Sequence, residues 1–326
     1  MISLTIGIPT YNRSSKLEKL LVVINHQISK INNPKIELII SNNNSEDNTK
    51  EVIEKFNFSD KIKVKIINQY SNIGFDANVN SILKKSSGIY TWTLSDDDEL
   101  KDEAIHEIYK ITQSNYNYKF IFINYLISNG KKINFSNYES NSSQEVNSID
   151  LLKIIDYSNS FISSCIFNTY EWSKIDVEPY LNSYWVHLFM SREVLNEGKS
   201  YIIGKPLLLQ KEREDYPKIY KGEDIPGHVM VHYNLCFFIQ SLSKYEQASS
   251  QYYLSSLSLF KKDLKQIVYY KLTRDKYRFY ELIKITNIFY HVRKFHVLNL
   301  INLLILFSPK TLFILIKKIK NLFFLK

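Results

Sequence analysis

Apolar and polar positions alternate in blocks along the first 127 residues. Ser3-Leu4-Thr5-Ile6-Gly7-Ile8 is a β-prone run closed by Pro9. Leu17, Leu20, Leu21, Ile24 and Ile28 then recur at helical spacing, with Ser14 or Ser15 placed to cap that helix. A second strand is predicted over 36–41, and Ser45 is placed to cap a helix running to about Phe56. Residues 62–67 form a third strand, apolar on one face. A helix over 75–85, a strand over 89–94, a helix over 102–114 and a strand over 120–123 complete the series. Such alternation predicts a parallel sheet with helices on both faces. Ligands bind such sheets beyond the carboxyl ends of the strands. Those ends carry the polar clusters Thr10-Tyr11-Asn12-Arg13, Asn42-Asn43-Asn44 and Asp96-Asp97-Asp98.

The pattern changes after that. Residues 128–150 are polar and read as a long loop or hairpin, and 151–215 return to mixed apolar segments. Pro217, Gly222, Pro226 and Gly227 predict a loop over 216–227. A helical pattern rich in Tyr, Leu and Lys follows over 229–290. The last apolar runs are interrupted by Asn299, Asn302, Pro309 and Lys310, and neither reaches the roughly 20 residues of a membrane-spanning helix. With Lys317, Lys318, Lys320 and Lys326, residues 295–326 suit a helix lying in the interface of an anionic membrane. The other reading is a C-terminal helix packed on the core with a solvated basic face.

Charge sharpens that division. The net charge is +9, yet residues 261–326 hold 15 Lys and Arg against 3 Asp and Glu, and the rest of the chain is slightly acidic. The basic character therefore belongs to the tail, which suits an anionic partner. Nucleic acid is disfavoured, because the basic residues interleave with long aliphatic runs. Two cysteines, Cys165 and Cys236, give no disulfide framework and suit a reducing compartment. The N-terminus reads as a first strand, with no basic region or cleavage site of a signal peptide.

Asp96-Asp97-Asp98 ends an apolar run, and three adjacent carboxylates raise one another's pKa. A divalent cation with oxygen ligands would relieve them. An acidic helix start would do so too, through the helix dipole.

These three clusters, with a fourth motif at Asn72-Ile73-Gly74-Phe75, resemble the family 2 glycosyltransferases of GT-A fold. Ile8-Pro9-Thr10-Tyr11-Asn12-Arg13 is similar to the family's first strand and turn, and residues 37–49 to its second strand. Asn72-Ile73-Gly74-Phe75 with Asn78, then Gly88-Ile89-Tyr90, resembles its third block. Ser95-Asp96-Asp97-Asp98 stands at its DXD motif. The wording is most like members that build O-antigen and capsular polysaccharide.

The resemblance implies a Rossmann-like, mixed α/β sheet flanked by helices, over residues 1–215. Residues 1–115 would be the nucleotide-binding half and 116–215 the acceptor half. Residues 216–326 would form a helical, basic extension, membrane-associating at 295–326. It implies an inverting transferase acting on a nucleoside-diphosphate sugar donor and a lipid-linked glycan acceptor. The expected place is cytoplasmic, peripheral on the inner face of the cell membrane. Mn²⁺ or Mg²⁺ would be held by Asp97 with Asp96 or Asp98. Pro9, Thr10, Tyr11, Arg13, Asn42, Asn43, Gly74, Asn78, Asp96 and Arg213 would line the nucleotide site. Asn42 replaces the usual base-reading aspartate, and Asn43 also suits a turn. The general base falls at His187, where the family usually has aspartate, with Glu193 as competitor. A sugar nucleotidyltransferase would share the acidic site but wants a glycine-rich loop after the first strand, which is absent. A catalytically inactive carbohydrate-binding or scaffold relative is the remaining alternative, since the standard base is missing.

Overall fold

The computed structural model describes residues 1–211, apart from Asn115, 129–132, Asn137, 156–157 and Asn182. The expectations for Arg213, the 216–227 loop, the 229–290 helices and the 295–326 membrane segment lie outside the described residues.

The first half alternates as its pattern predicts: β1 (Ile2–Thr10), α1 (Ser14–Ser29), β2 (Ile36–Asn42), α2 (Thr49–Lys55), β3 (Lys63–Asn68), α3 (Phe75–Lys85) and β4 (Gly88–Thr93). There follow β5 (Glu99–Leu100), α4 (Ala104–Thr112), β6 (Phe120–Ser128), β7 (Ile133–Phe135), β8 (Gln144–Asn147) and α5 (Leu151–Ile155). The chain then forms β9 (Cys165–Asn168), α6 (Thr169–Ser173), α7 (Val186–Val194) and β10 (Lys199–Lys211). All ten strands join one sheet of order β3-β2-β1-β4-β9-β6-β10-β5, with β7 on β6 and β8 on β10.

The parallel-sheet expectation holds for β3, β2, β1 and β4 and again between β6 and β10, and fails at β9 and the remaining pairs. β9 runs antiparallel to both β4 and β6 and separates them. This four-residue strand enters from the 3-10 turn Ile162–Ser164 and hydrogen-bonds on both sides, filling the gap between two strands that run the same way. The sheet is therefore mixed, as the GT-A resemblance implies.

Right-handed crossovers put α1 and α2 on one face of the parallel half and α3 on the other. Both faces are thus covered, and every residue of β2 is buried. On α1, Leu17, Leu20, Leu21, Ile24 and Ile28 all point into the core. Where α3 crosses β1, Gly7 makes room: a Cβ there would meet Ile82 Cγ2 at 2.3 Å. Among the described residues no helix is long and apolar enough to cross a membrane.

Two capping expectations are corrected. Neither Ser14 nor Ser15 caps α1, and α2 begins at Thr49, beyond the reach of Ser45. Asp47 serves both helix starts instead. Its Oδ2 accepts the Ser14 N–H at 3.1 Å, and its Oδ1 accepts the Thr49 N–H at 3.0 Å. An ionised carboxylate suits the positive end of two helices better than a hydroxyl suits one. Asn12 N–H to Ser45 Oγ (2.9 Å), Glu46 N–H to Asn12 Oδ1 (2.7 Å) and Arg13 N–H to Thr49 Oγ1 (3.1 Å) complete the lacing. The loops after β1 and β2 are thereby one unit.

Candidate active site

The polar clusters meet at the carboxyl ends of the parallel strands. Thr10 pairs with Asn42 in register, and Asn42 with Asn68. The Leu94 N–H donates to the Gly7 carbonyl at 2.9 Å, carrying the β1–β4 pairing one step past β4. The chain then leaves the sheet beside Pro9-Thr10, and Asp96-Asp97-Asp98 occupy the connection from β4 to β5. The acidic helix start is excluded, because α4 begins at Ala104, after β5.

Each aspartate has its own environment. Asp96 is only 4% exposed. Its Oδ2 accepts from Thr10 Oγ1 at 2.7 Å, and its Oδ1 from Arg13 Nη1 at 3.1 Å. Asp97 accepts from Ser95 Oγ at Oδ1 (2.6 Å) and from the same Arg13 Nη1 at Oδ2. Lys16 Nζ stands 4.0 Å from Asp97 Oδ2. Asp98 turns elsewhere: its Oδ2 accepts from Ser163 Oγ at 2.5 Å, and that hydroxyl also accepts the Ser95 N–H at 2.9 Å. Burial pushes the Asp96 carboxyl up to about 6, against the pull of Arg13 and Thr10. Burial also opposes the charge on Arg13, but the attraction of Asp96 and Asp97 outweighs it and raises that pKa above the ordinary value.

Among the described residues there is no group of three or more His, Cys, Asp or Glu side chains set to hold a metal ion. Asp96 and Asp97 converge on one cationic nitrogen, and Asp98 does not join them. The pair still fits a hard divalent cation. Its donors are all carboxylate oxygens, two of them already meet at one positive point, and substrate phosphates are the usual source of further ligands.

The neighbouring strand ends hold a second network. Asn42 Oδ1 accepts the Ser45 N–H at 3.0 Å, a turn-forming contact, while its Nδ2 reaches Asn68 Oδ1 at 3.4 Å. Asn43 staples the 72–74 turn, donating to Asn72 Oδ1 (3.0 Å) and accepting the Ile73 N–H (3.0 Å). Gly74 has φ +86°, a left-handed geometry that only glycine adopts freely. Asn78 is buried and holds Ser41 through both hydroxyl (2.6 Å) and carbonyl (3.0 Å). Asn43 and Asn78 thus use their amides to build the wall of the site. Pro9 is buried, and Tyr11 is exposed.

His187 is 2% exposed, with Nε2 3.1 Å from the Ser160 carbonyl. A carbonyl only accepts, so this bond fixes a proton on Nε2 and leaves the lone pair on Nδ1, which is also buried. Glu193 accepts from Tyr180 Oη (3.1 Å) and Arg192 Nη1 (3.2 Å). Sequence reasoning missed Asp76. In the first turn of α3, it accepts the Tyr184 N–H (2.7 Å) and the Val186 N–H (3.1 Å). It thereby fixes the start of α7, where Tyr184 carries φ +64°. Burial pushes its carboxyl up to about 6 despite those donors. An acidic residue in a helix's first turn was the only signal available.

The family model for Glycosyl transferase family 2 matches residues 5–167, half of the chain. The chain belongs to glycosyl transferase family 2. The match takes in both networks and ends in β9. Among characterised members, the chain is 30% identical over 196 residues to the GalNAc(5)-diNAcBac-PP-undecaprenol beta-1,3-glucosyltransferase of Campylobacter jejuni, covering 59% of this chain and 61% of that one. It is 27% identical over 226 residues to the abequosyltransferase RfbV of Salmonella typhimurium, covering 64% and 66%. The chain therefore spans somewhat under two thirds of the length of each relative. The fold is that of the GT-A members. S. aureus TarS 1-349 in complex with UDP-GlcNAc superposes with a TM-score of 0.56 at 16% identity, covering 89% of this chain and 81% of that one. A Pyrobaculum calidifontis mannosyltransferase in complex with GDP-Man and Mn²⁺ gives 0.50 at 12% identity, covering 80% and 71%.

Proposed function

We propose that this family 2 member is an inverting glycosyltransferase. It moves one sugar from a nucleoside-diphosphate donor to a lipid-linked glycan acceptor during surface-polysaccharide assembly. The observation that carries the reading is the Asp96–Asp97 pair converging on one cation at the carboxyl ends of the parallel strands. Both curated relatives are named as transferases, one of them for a polyprenyl-diphosphate-linked glycan.

Each residue then has a task. Tyr11 offers its ring to the base, and Pro9 and Thr10 form the wall beneath it. Thr10 and Ser95 hold one oxygen each of Asp96 and Asp97, and the other two meet at Arg13 Nη1. Asp96 and Asp97 would hold Mn²⁺ or Mg²⁺, which would supply Lewis-acid charge for the departing diphosphate. Arg13 offers a second positive charge to the phosphates. Asp98, bonded to Ser163, shapes the turn. His187 Nδ1 takes the proton of the acceptor hydroxyl as that oxygen attacks the anomeric carbon from the side opposite the diphosphate. The basic, apolar segment 295–326 brings the enzyme to the inner face of an anionic membrane, where its acceptor lies.

A thermal-shift panel of sugar nucleotides, each with and without Mn²⁺, tests donor class and metal together. One nucleoside-diphosphate sugar should raise the melting temperature only when Mn²⁺ is present, and Asp97→Ala should abolish the shift. Sugar transfer at full rate in EDTA would overturn the metal assignment. For the tail, removal of residues 295–326 should release the protein from anionic vesicles; unchanged binding would refute that role.

A further inference from the structure

We propose that Arg13 is a resident counter-ion of the Asp96–Asp97 pair, and that it must withdraw before a divalent cation enters. This rests on the reading of that pair as the cation-holding site.

The geometry separates anchored oxygens from exchangeable ones. Thr10 Oγ1 fixes Asp96 Oδ2, and Ser95 Oγ fixes Asp97 Oδ1. The remaining oxygens, Asp96 Oδ1 and Asp97 Oδ2, both meet Arg13 Nη1. A guanidinium usually engages a carboxylate across its fork, with two parallel bonds. Here two carboxylates share a single nitrogen, as they would share a spherical ion. Without that charge, two adjacent carboxylates, one of them almost fully buried, would repel each other. Arg13, with Lys16 Nζ 4.0 Å from Asp97 Oδ2, offsets that repulsion.

Arg13 is also built to leave. Its backbone N–H is tied to Thr49 Oγ1, so the main chain stays when the side chain turns. The side chain is 27% exposed, far more than the 4% of Asp96, so it has a path to solvent. Thr10 and Ser95 keep the carboxylates in place during the exchange. The released guanidinium then matches a phosphate of the donor. Cation and donor thus replace one another's charges in one rearrangement: metal on carboxylates, arginine on phosphate.

The test measures Mn²⁺ alone, titrated into the full chain and followed by the loss of the free-ion EPR signal. Arg13→Met should bind Mn²⁺ about tenfold or more tightly than wild type, since a charge-assisted contact no longer competes. Arg13→Lys, which keeps the charge without the guanidinium, should fall between them. Equal or weaker binding in Arg13→Met overturns the proposal. Should that variant fail to fold, unchanged binding in Arg13→Lys does the same. Asp97→Ala tells this failure from the other one: if it still binds Mn²⁺ as wild type does, the carboxylate pair itself is not the cation site. A second readout is melting. Metal-free Arg13→Met should melt below wild type and gain more from saturating Mn²⁺, and equal gains would count against the exchange.

Discussion

Two buried carboxylates lie toward opposite ends of the same parallel strands, and they are satisfied in different ways. Glu37, on β2 beside Thr5, is fully buried near the amino ends. It accepts from Thr5 Oγ1 (2.9 Å), Ser87 N–H (2.8 Å), Ser87 Oγ (3.0 Å) and Lys63 Nζ (3.3 Å). Burial would raise its pKa, but these donors outweigh burial and hold it below the ordinary carboxylate range. Asp96, past the carboxyl end of β4, has one hydroxyl and one shared guanidinium, and burial wins. A carboxylate enclosed by fixed donors of the fold is finished as a structural part. One whose charge is balanced by a partly exposed side chain can exchange that partner for a ligand.

The largest expected effect comes from exchanging the roles of the two ends. Asp97→Ala should lower kcat/KM for sugar transfer by about 10³-fold, the scale of losing a preorganised charge contact at a reacting phosphate. Its melting temperature should stay near wild type. Glu37→Gln should do the reverse, keeping kcat/KM and losing about 1–3 kcal/mol of unfolding free energy, because the amide nitrogen would face the Lys63 ammonium and the charge that Lys63 balances would be gone. Steady-state kinetics and urea unfolding of both variants decide it. An active Asp97→Ala enzyme, or a Glu37→Gln protein of unchanged stability, would erase the distinction between the two ends.

Next in size is the base. His187→Gln keeps a donor for the Ser160 carbonyl and loses the basic Nδ1, so the fold should survive while kcat falls about 10²–10⁴-fold. The donor KM should change little, and Glu193→Ala should behave as wild type, given its half-buried place and its Tyr180 and Arg192 partners. Loss of activity in Glu193→Ala with a mild effect in His187→Gln would move the base to Glu193.

The comparison also shows what the sequence could reveal. Local periodicity placed β1 to β4, and α3 runs over Phe75–Lys85 as its pattern predicts. The aspartate triplet was visible as a charge cluster ending an apolar run. The partners that give each carboxylate its character were not. Arg13 and Asp96 lie 83 residues apart, and Thr5 and Glu37 lie 32 apart. No local rule links such pairs; strand register does. The antiparallel β9 was hidden for a similar reason, since a four-residue strand carries little pattern of its own. Asp47 escaped because it caps a helix in a different loop from its own.

Asp76 is the case that sharpens the rule, and it carries the smallest expected effect. Like Glu37 it has fixed donors, the Tyr184 and Val186 N–H groups. Like Asp96 its pKa is raised, from an ordinary 3.8 to about 6, because burial outweighs those donors. The folded protein then holds this proton more tightly than the unfolded chain does. The stabilisation from Asp76 is complete below about pH 4 and is lost as pH rises through 6. Asp76→Asn removes the titration and leaves every other group in place. The stability difference, wild type minus Asp76→Asn, should therefore fall by about 1 kcal/mol per pH unit between pH 4 and 6, then level off. Urea unfolding of both proteins across that range reads it directly. A difference that is flat between pH 4 and 6, after rising below pH 4, would give Asp76 a lowered pKa and group it with Glu37. Two backbone donors would then suffice to hold a buried carboxylate charged, and the Arg13 cation at Asp96 would be a requirement of ligand exchange rather than of burial.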